Sequence, residues 1–582
     1  MHQYIKITLF IFLSSVYTIF AQDKDTIGTE TVNVTKAYKP TVSDAFKVKT
    51  VPNLNDSVVL QRQRINYSIF STPVASTFTP AKGKASAVDK VKPAKIYNSY
   101  ASLGLGNYNN ALADFYTSRA LNRDERLDIG FNHHSSRGKV EGVALKNTFY
   151  NTKAIASYSK KDRDVNWGAN LELQHQLYNW YGIVDGVVPQ TVIDGIDATQ
   201  NYFNVELGGN IEIENSFLKG GNILLRRFWD ATKSGENRVV LTPVIEVPVA
   251  DELITAKIKI DYVGGSFKNA IVQNQINSPS INYSQFQFGV TPSILVLRDN
   301  LTVNAGLTLA YGLDAENSEG EFFIYPNITA SYRLLNDVVI VYGGLEGELK
   351  QNSYQNFVDE NPYISPTLII APTDKQYSLH AGFKGQLLPN LSYNIKASYT
   401  GEKNKALFKL NPRNLFRTDD KGYYYGNSFD VIYDGVQTLG IFGELNVDVN
   451  RNFSLGLNVE AYDYTLETDN PAWNLPGVRA SVFMDYQIGE KWFAGANLFY
   501  VGERQDQSSL VEQNVLPENF PSTTVMLEGY FDANVHLGYR YNEQLSFFAK
   551  ANNIANNNYM RWANYPVQGF QILAGATYKF DF

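Results

Sequence analysis

From about Tyr97 to the C terminus, apolar and polar residues alternate one by one along the chain. Ala169, Leu171 and Leu173 interleave with Asn170, Glu172 and Gln174. Phe203, Val205 and Leu207 interleave with Asn204, Glu206 and Gly208. Leu301 to Leu309 and Phe453 to Ala461 repeat the scheme. A period of two marks a β-strand with one oily and one polar face. The clearest case ends the chain. Ile572, Ala574, Ala576, Tyr578, Phe580 and Phe582 share one parity, while Gln571, Gly575, Thr577, Lys579 and Asp581 share the other, with Leu573 the one exception.

Soluble sandwiches also alternate, but one of this size needs fully apolar strands in its middle. Here nearly every strand keeps Asn, Glu, Asp, Lys or Gly on one face. Beyond the N terminus no run of about 18 apolar residues exists to form a spanning helix. A closed barrel is the other structure that satisfies its backbone inside a bilayer. Short polar turns such as Asn122-Arg123-Asp124, Glu214-Asn215, Arg298-Asp299-Asn300, Asn336-Asp337 and Gly489-Glu490 alternate with mostly longer connections, notably 179–200, 267–281, 352–374, 404–434, 467–476 and 504–527. The expected fold is all-β: a transmembrane antiparallel β-barrel of about 22 strands. Both termini are expected in the periplasm, the short turns beside them and the long loops outside.

Composition sharpens the address. The 582 residues include 38 Tyr and 34 Phe, as interfacial aromatic girdles require. Cysteine is absent, so no disulfide or thiolate site forms, and a net charge of −7 argues against nucleic acid as a partner. Lys6, the apolar run Ile7 to Phe20 and Ala21-Gln22 read as a secretory signal peptide over 1–21. Residues 22–96 form a short irregular periplasmic extension, broken by Pro40, Pro52, Pro73, Pro80 and Pro93 and ending in a basic linker from Lys82 to Lys95. The barrel takes 97–582, in contact with outer-membrane lipid.

Within the extension, Glu30-Thr31-Val32-Asn33-Val34-Thr35 resembles the TonB box of TonB-dependent receptors. Physically it is a short, β-prone, unpaired strand, suited to strand addition onto a partner's sheet edge. At the other end, Asn553-Ile554, Tyr559, Tyr565-Pro566-Val567-Gln568-Gly569, Gly575 and the closing aromatics Tyr578, Phe580 and Phe582 are similar to that family's last two strands, with Phe570 where the family usually has Arg. The resemblance implies TonB as a partner and import of a small-molecule or oligomeric nutrient across the outer membrane. It does not extend to the family's plug domain. About sixty residues separate Lys36 from Tyr97, and they lack the plug's Arg-Gly and Asp-Gly-x-Pro motifs. The alternative is a receptor-derived barrel serving as a passive channel, or as a scaffold bound to a lipoprotein or another outer-membrane protein. A lumen this wide needs a filler: the stretch with Ile65, Tyr67, Ile69 and Phe70, inward-folded loops, or a partner.

Nothing in the sequence points to catalysis, a metal or a cofactor. His133 and His134 are adjacent on a strand and face opposite ways. His175 falls on the lipid-facing parity, and His380 and His536 are isolated. Trp180-Tyr181, Tyr423-Tyr424-Tyr425 and Trp473 sit in or beside outer loops, where they either stack on a ligand or serve girdle and loop packing.

Overall fold

The computed structural model describes residues 95–249, 252–268, 280–413, 421–508 and 524–582. Residues 1–21, expected to be a signal peptide, the Glu30–Thr35 segment and the Ile65, Tyr67, Ile69, Phe70 stretch lie outside the described residues. Twenty-two strands form one antiparallel sheet in which each pairs with its neighbours in sequence. The first, Ser99–Gly106, also pairs with the last, Gln571–Phe580, in a register running from Ser99↔Phe580 to Gly106↔Leu573. The sheet is therefore a closed barrel with no free edge.

Exposure runs opposite to that of a soluble protein. The fifth strand, Val165–Asn179, pairs with the sixth, Thr199–Ile213, as Leu171↔Leu207, Glu172↔Glu206 and Leu173↔Val205. Leu171, Leu173, Leu207 and Ile211 are exposed on the outer wall, whereas Gln176 and Asn204 are buried on the inner one. Large apolar side chains outside and polar ones inside is the pattern of a wall between hydrocarbon and a polar lumen. An aromatic row, Tyr150, His175, Phe203 and Trp229, runs along the outer face; Tyr150 meets His175 edge-on, and the His175 and Phe203 rings stack 4.4 Å apart.

Four of the short turns owe their tightness to residues that tolerate left-handed backbone angles. Asn215, Asp299, Asn336 and Gly489 all have positive φ, from 44° to 62°. At the seam, Gly104 and Gly575 lie opposite each other, with the Phe548 ring laid across them. A Cβ on Gly575 would come within 2.5 Å of that ring. Glycine is needed there so that the aromatic ring can cover the wall. Beside the seam the two ends of the barrel are clasped. Lys95 Nζ sits 2.7 Å from Asp581 Oδ2, and Asn98 Oδ1 accepts from the Phe582 amide. Of the closing aromatics, Tyr578 and Phe582 are exposed, and Phe580 packs between Tyr578 and Phe115. Leu573, the odd apolar residue of this strand, is buried.

One expected loop is shorter than its sequence suggested. The stretch 404–434 does not leave the sheet as a whole, because the fifteenth strand runs over Leu391–Leu410 and the sixteenth over Phe429–Asn450, paired out to Leu410↔Phe429. These strands of 20 and 22 residues are about twice what a bilayer needs, so their ends project beyond it. What holds the projecting ends together is burial: Leu407, Phe408, Leu410, Phe429 and Val431 are all enclosed. The protein's main apolar core lies there, at the long-loop end, and not within the wall.

Candidate functional site, a loop roof across the barrel mouth

The connection between the thirteenth strand, Val339–Lys350, and the fourteenth, Thr373–Leu388, turns inward. Its start is dictated locally. Ser353 caps a short helix, Tyr354–Glu360, by accepting a hydrogen bond from the Asn356 amide. The helix is too short to stand alone, and the wall holds it at several points. Glu236, on the eighth strand Gly235–Val249, accepts from the Tyr354 amide at 2.6 Å, the Gln355 amide at 3.5 Å and the Tyr283 hydroxyl at 2.8 Å. A carboxylate at the first turn of a helix also meets the positive end of its dipole. The Tyr354 hydroxyl donates to Asp230 at 2.8 Å, and its ring makes edge contacts with Tyr202, Phe228 and Phe267. Arg226 grips Glu206 through Nε and Nη2 and reaches Gln355 Oε1 through Nη1 at 2.6 Å. Tyr202 donates to the Pro362 carbonyl at 2.9 Å.

Past the helix, Tyr363 meets two other loops. Its ring stacks 3.8 Å from that of Tyr565, in the connection between the last two strands, and stands edge-on to Tyr181, in the connection between the fifth and sixth, at 5.7 Å. Tyr181 and Tyr565 close the triangle at 4.8 Å. In a ring of 22 strands these three loops start roughly a third of the circumference apart. They can meet only by spanning the mouth. A Cβ on Gly182 would come within 2.5 Å of the Tyr565 ring, so glycine is needed for that approach. Burial raises all three phenols above their ordinary titration range.

Polar bonds tie further loops to this hub. The Tyr565 hydroxyl donates to the Asn427 carbonyl, Tyr181 to the Pro566 carbonyl at 2.9 Å, and Asn427 Nδ2 to the Trp180 carbonyl at 2.6 Å. Trp562 wedges between Phe408 and Phe429, with rings 5.5 and 5.4 Å away. Arg504 donates to the Arg561 and Met560 carbonyls. Together these loops form a roof built from side chains that meet across the barrel.

The sequence matches no protein-family model and no curated protein. The fold, in contrast, has clear counterparts among solved structures. The FrpB iron transporter from Neisseria meningitidis is 11% identical, with a TM-score of 0.62 over 84% of this chain and 82% of that one. The pyoverdine outer membrane receptor FpvA from Pseudomonas aeruginosa PAO1 is 12% identical, with a TM-score of 0.61 over 84% and 79%. The ferric-catecholate import receptor Fiu from K12 E. coli is 12% identical, with a TM-score of 0.58 over 83% and 82%. The fold is that of the TonB-dependent outer-membrane receptors.

In this receptor fold the aromatic pairs singled out in the sequence are packing residues. Trp180, Tyr181, Tyr423, Tyr424 and Trp473 are all buried, not offered to solvent as stacking platforms, and Tyr425 is half-buried against Ile183, Val188 and Ile193. His133 pairs with Thr152 and His134 with Asn110, on opposite faces as the strand period requires. Among the described residues no group of three or more His, Asp or Glu side chains is placed to hold a metal ion. Sequence reasoning missed Glu236, Arg226, Tyr354 and Tyr363. The one local signal for them was the cap sequence Asn352-Ser353-Tyr354 ahead of Phe357-Val358, set between strand patterns on either side.

One roof carboxylate sets a pH dependence. Asp506 lies in a ribbon, Arg504–Gln507 paired with Thr524–Leu527, and accepts from the Leu410 amide and Asn474 Nδ2 at 2.9 and 2.8 Å. It is fully buried, and desolvation pushes its pKa up to about 6 despite those bonds. A carboxyl raised on folding favours the folded ribbon when protonated. Its ribbon is therefore most stable below the ordinary Asp value, loses stability as pH rises to about 6, and is level above. Hydrogen exchange of peptides covering 504–507, corrected for intrinsic rate, should show greater protection at pH 5 than at pH 7.5. Asp506→Asn should remove that difference.

Proposed function

We propose that this protein is an outer-membrane, receptor-type transporter that takes up a nutrient through the mouth at its long-loop end, and that the roof is its gate. The observation that carries this reading is the Tyr181–Tyr363–Tyr565 meeting point, which joins loops from well-separated parts of the rim. A barrel with so many strands and an open mouth would leak small solutes, and a roof of this kind stops the leak without filling the lumen. The lipid-facing wall and the receptor fold support a place in the outer membrane, with the short turns and both termini in the periplasm. The Glu30–Thr35 segment would then reach TonB by strand addition and supply the pull that opens the gate. The solutes named for the neighbours, iron, pyoverdine and ferric catecholates, define a class to screen first.

Planar bilayers test the gate. The wild-type protein should be electrically silent. A variant with residues 353–371 replaced by a Gly-Ser linker should conduct steadily. If the wild type conducts like that variant, the roof does not close the mouth. Silence in both, relieved only by removing residues 23–94 as well, would move the occlusion to the extension and its Ile65, Tyr67, Ile69 and Phe70 stretch.

A second reading is a barrel that serves a larger outer-membrane complex, capped by a lipoprotein or another partner. The short interval between Lys36 and Tyr97, without plug motifs, favours it. Co-purification from native membranes separates the two: a stoichiometric partner supports the complex, and uptake by the isolated barrel in vesicles supports the transporter.

A further inference from the structure

Beneath the helix Tyr354–Glu360, the seventh strand, Leu218–Asp230, and the eighth place Arg226 and Arg238 directly opposite each other on the lumen wall. Like charges in register on neighbouring strands repel. Each is held by a carboxylate on its far side. Arg226 has Glu206 of the sixth strand, at 3.0 Å from Nε and 2.9 Å from Nη2. Arg238 has Asp261 of the ninth strand, Glu252–Phe267, at 3.0 Å from Nε and 2.8 Å from Nη2, and Lys259 reaches the same carboxylate at 3.5 Å. On these four strands the charges run minus, plus, plus, minus, and Asp359 of the helix, bonded to Gln355, is a further carboxylate near Arg226. The nearby Glu236 is committed to the helix amides and Tyr283, so it does not fill the gap between the guanidiniums. The Arg238 Nη1 has no partner among the described residues, and the Arg226 Nη1 rests on the neutral oxygens of Gln355 and Asn356. Between the two strands opens a pocket of about 280 Å³, lined among others by Asn222, Leu224, Arg226, Arg238, Val240 and Thr242. The two arginine side chains are only 13% and 14% exposed, so bulk water screens them poorly.

We propose that this pocket is an oxyanion subsite, taking the carboxylate or phosphate end of a solute that passes through the lumen. An anion seated between the guanidiniums restores alternation of charge round the wall. It would accept from the two Nη1 groups, with the Asn222 amide and the Thr242 hydroxyl as further donors and Leu224 and Val240 against its apolar part. At the lower edge of small-ligand sites, which run from ~300 Å³, the pocket suits one charged end of a solute and not a whole one. Occupancy also draws the Arg226 Nη1 away from Gln355 and Asn356, so arrival of the anion loosens one hold on the helix.

The inference rests on the gate reading only for how solute reaches the pocket; binding itself is measured separately. Full-length protein in detergent is titrated calorimetrically with inorganic phosphate, with benzoate, and with benzamide as the neutral control. At least one anion should bind, and benzamide should not. Asn222→Leu with Thr242→Val leaves both ion pairs in place and should weaken the anion by about tenfold or more. Arg238→Met should abolish binding. If neither anion binds the wild type, if benzamide binds as well as benzoate, or if both sets of substitutions leave the affinity unchanged, the subsite is overturned. That result would leave the bilayer measurements untouched, and a conducting wild type would in turn leave the titration standing.

Discussion

Replacing Glu236 with alanine should turn a silent barrel into a conducting one. The side chain is 1% exposed and receives three donors: two amides of the first helical turn and the Tyr283 hydroxyl. Removing a buried acceptor strands its donors, at about 1–3 kcal/mol for each group left unpaired. Even the low end of that range, summed over three donors, exceeds what seven residues of helix contribute by themselves. The helix should therefore leave its seat, taking the Tyr363 ring off Tyr565. Single-channel recording should show long openings, and amide exchange over 354–361 should speed up by roughly 100-fold. Glu236→Gln keeps an acceptor for the amides and should fall between. Arg226→Ala should do less, because Arg226 makes one close bond to the helix and the Glu206 it abandons belongs to the wall and not to the helix. Should Glu236→Ala stay as silent and as protected as the wild type, the helix is anchored elsewhere.

The wall was legible in the sequence because its physics is local. Parity decides which side chain meets lipid, and a positive-φ residue such as Asn215 or Asp299 closes several of the tight turns, so strand number and barrel closure follow from short-range pattern. The roof was not legible, because its contacts join Tyr181, Tyr363 and Tyr565 from distant parts of the chain, and no period marks them. The same physics explains the misplaced loop at 404–434. Leu407 and Phe408 are consecutive and both buried, since the roof covers one face and the packed strand ends cover the other. Alternation lapses where the sheet leaves the bilayer, and a reader of parity takes that lapse for the end of the strand. The polar lumen suffered the opposite fault. Its residues were visible as a face, but pairings such as Arg226 with Gln355 depend on which loop folds back over them.

Deleting Glu30 to Thr35 should abolish energised uptake while leaving the roofed barrel intact, since the barrel's seam, clasp and hub involve only residues from Lys95 onward. If the segment docks on a periplasmic partner's sheet edge, it does so through its backbone, because strand addition binds through main-chain hydrogen bonds. Val32→Pro with Val34→Pro should therefore mimic the deletion. Each proline removes a donor, at about 1 kcal/mol apiece, and two such losses with the accompanying misfit weaken docking by roughly 30-fold or more. Val32→Ile with Val34→Ile keeps both donors and the β preference, and should transport normally. Accumulation of a ferric catecholate or another screened solute in cells, set against bilayer silence of the same variants, reads the two effects apart. Growth and uptake that survive the deletion on every solute tested would remove the energised cycle from this protein and leave the complex-subunit reading, with its stoichiometric partner, as the account to pursue.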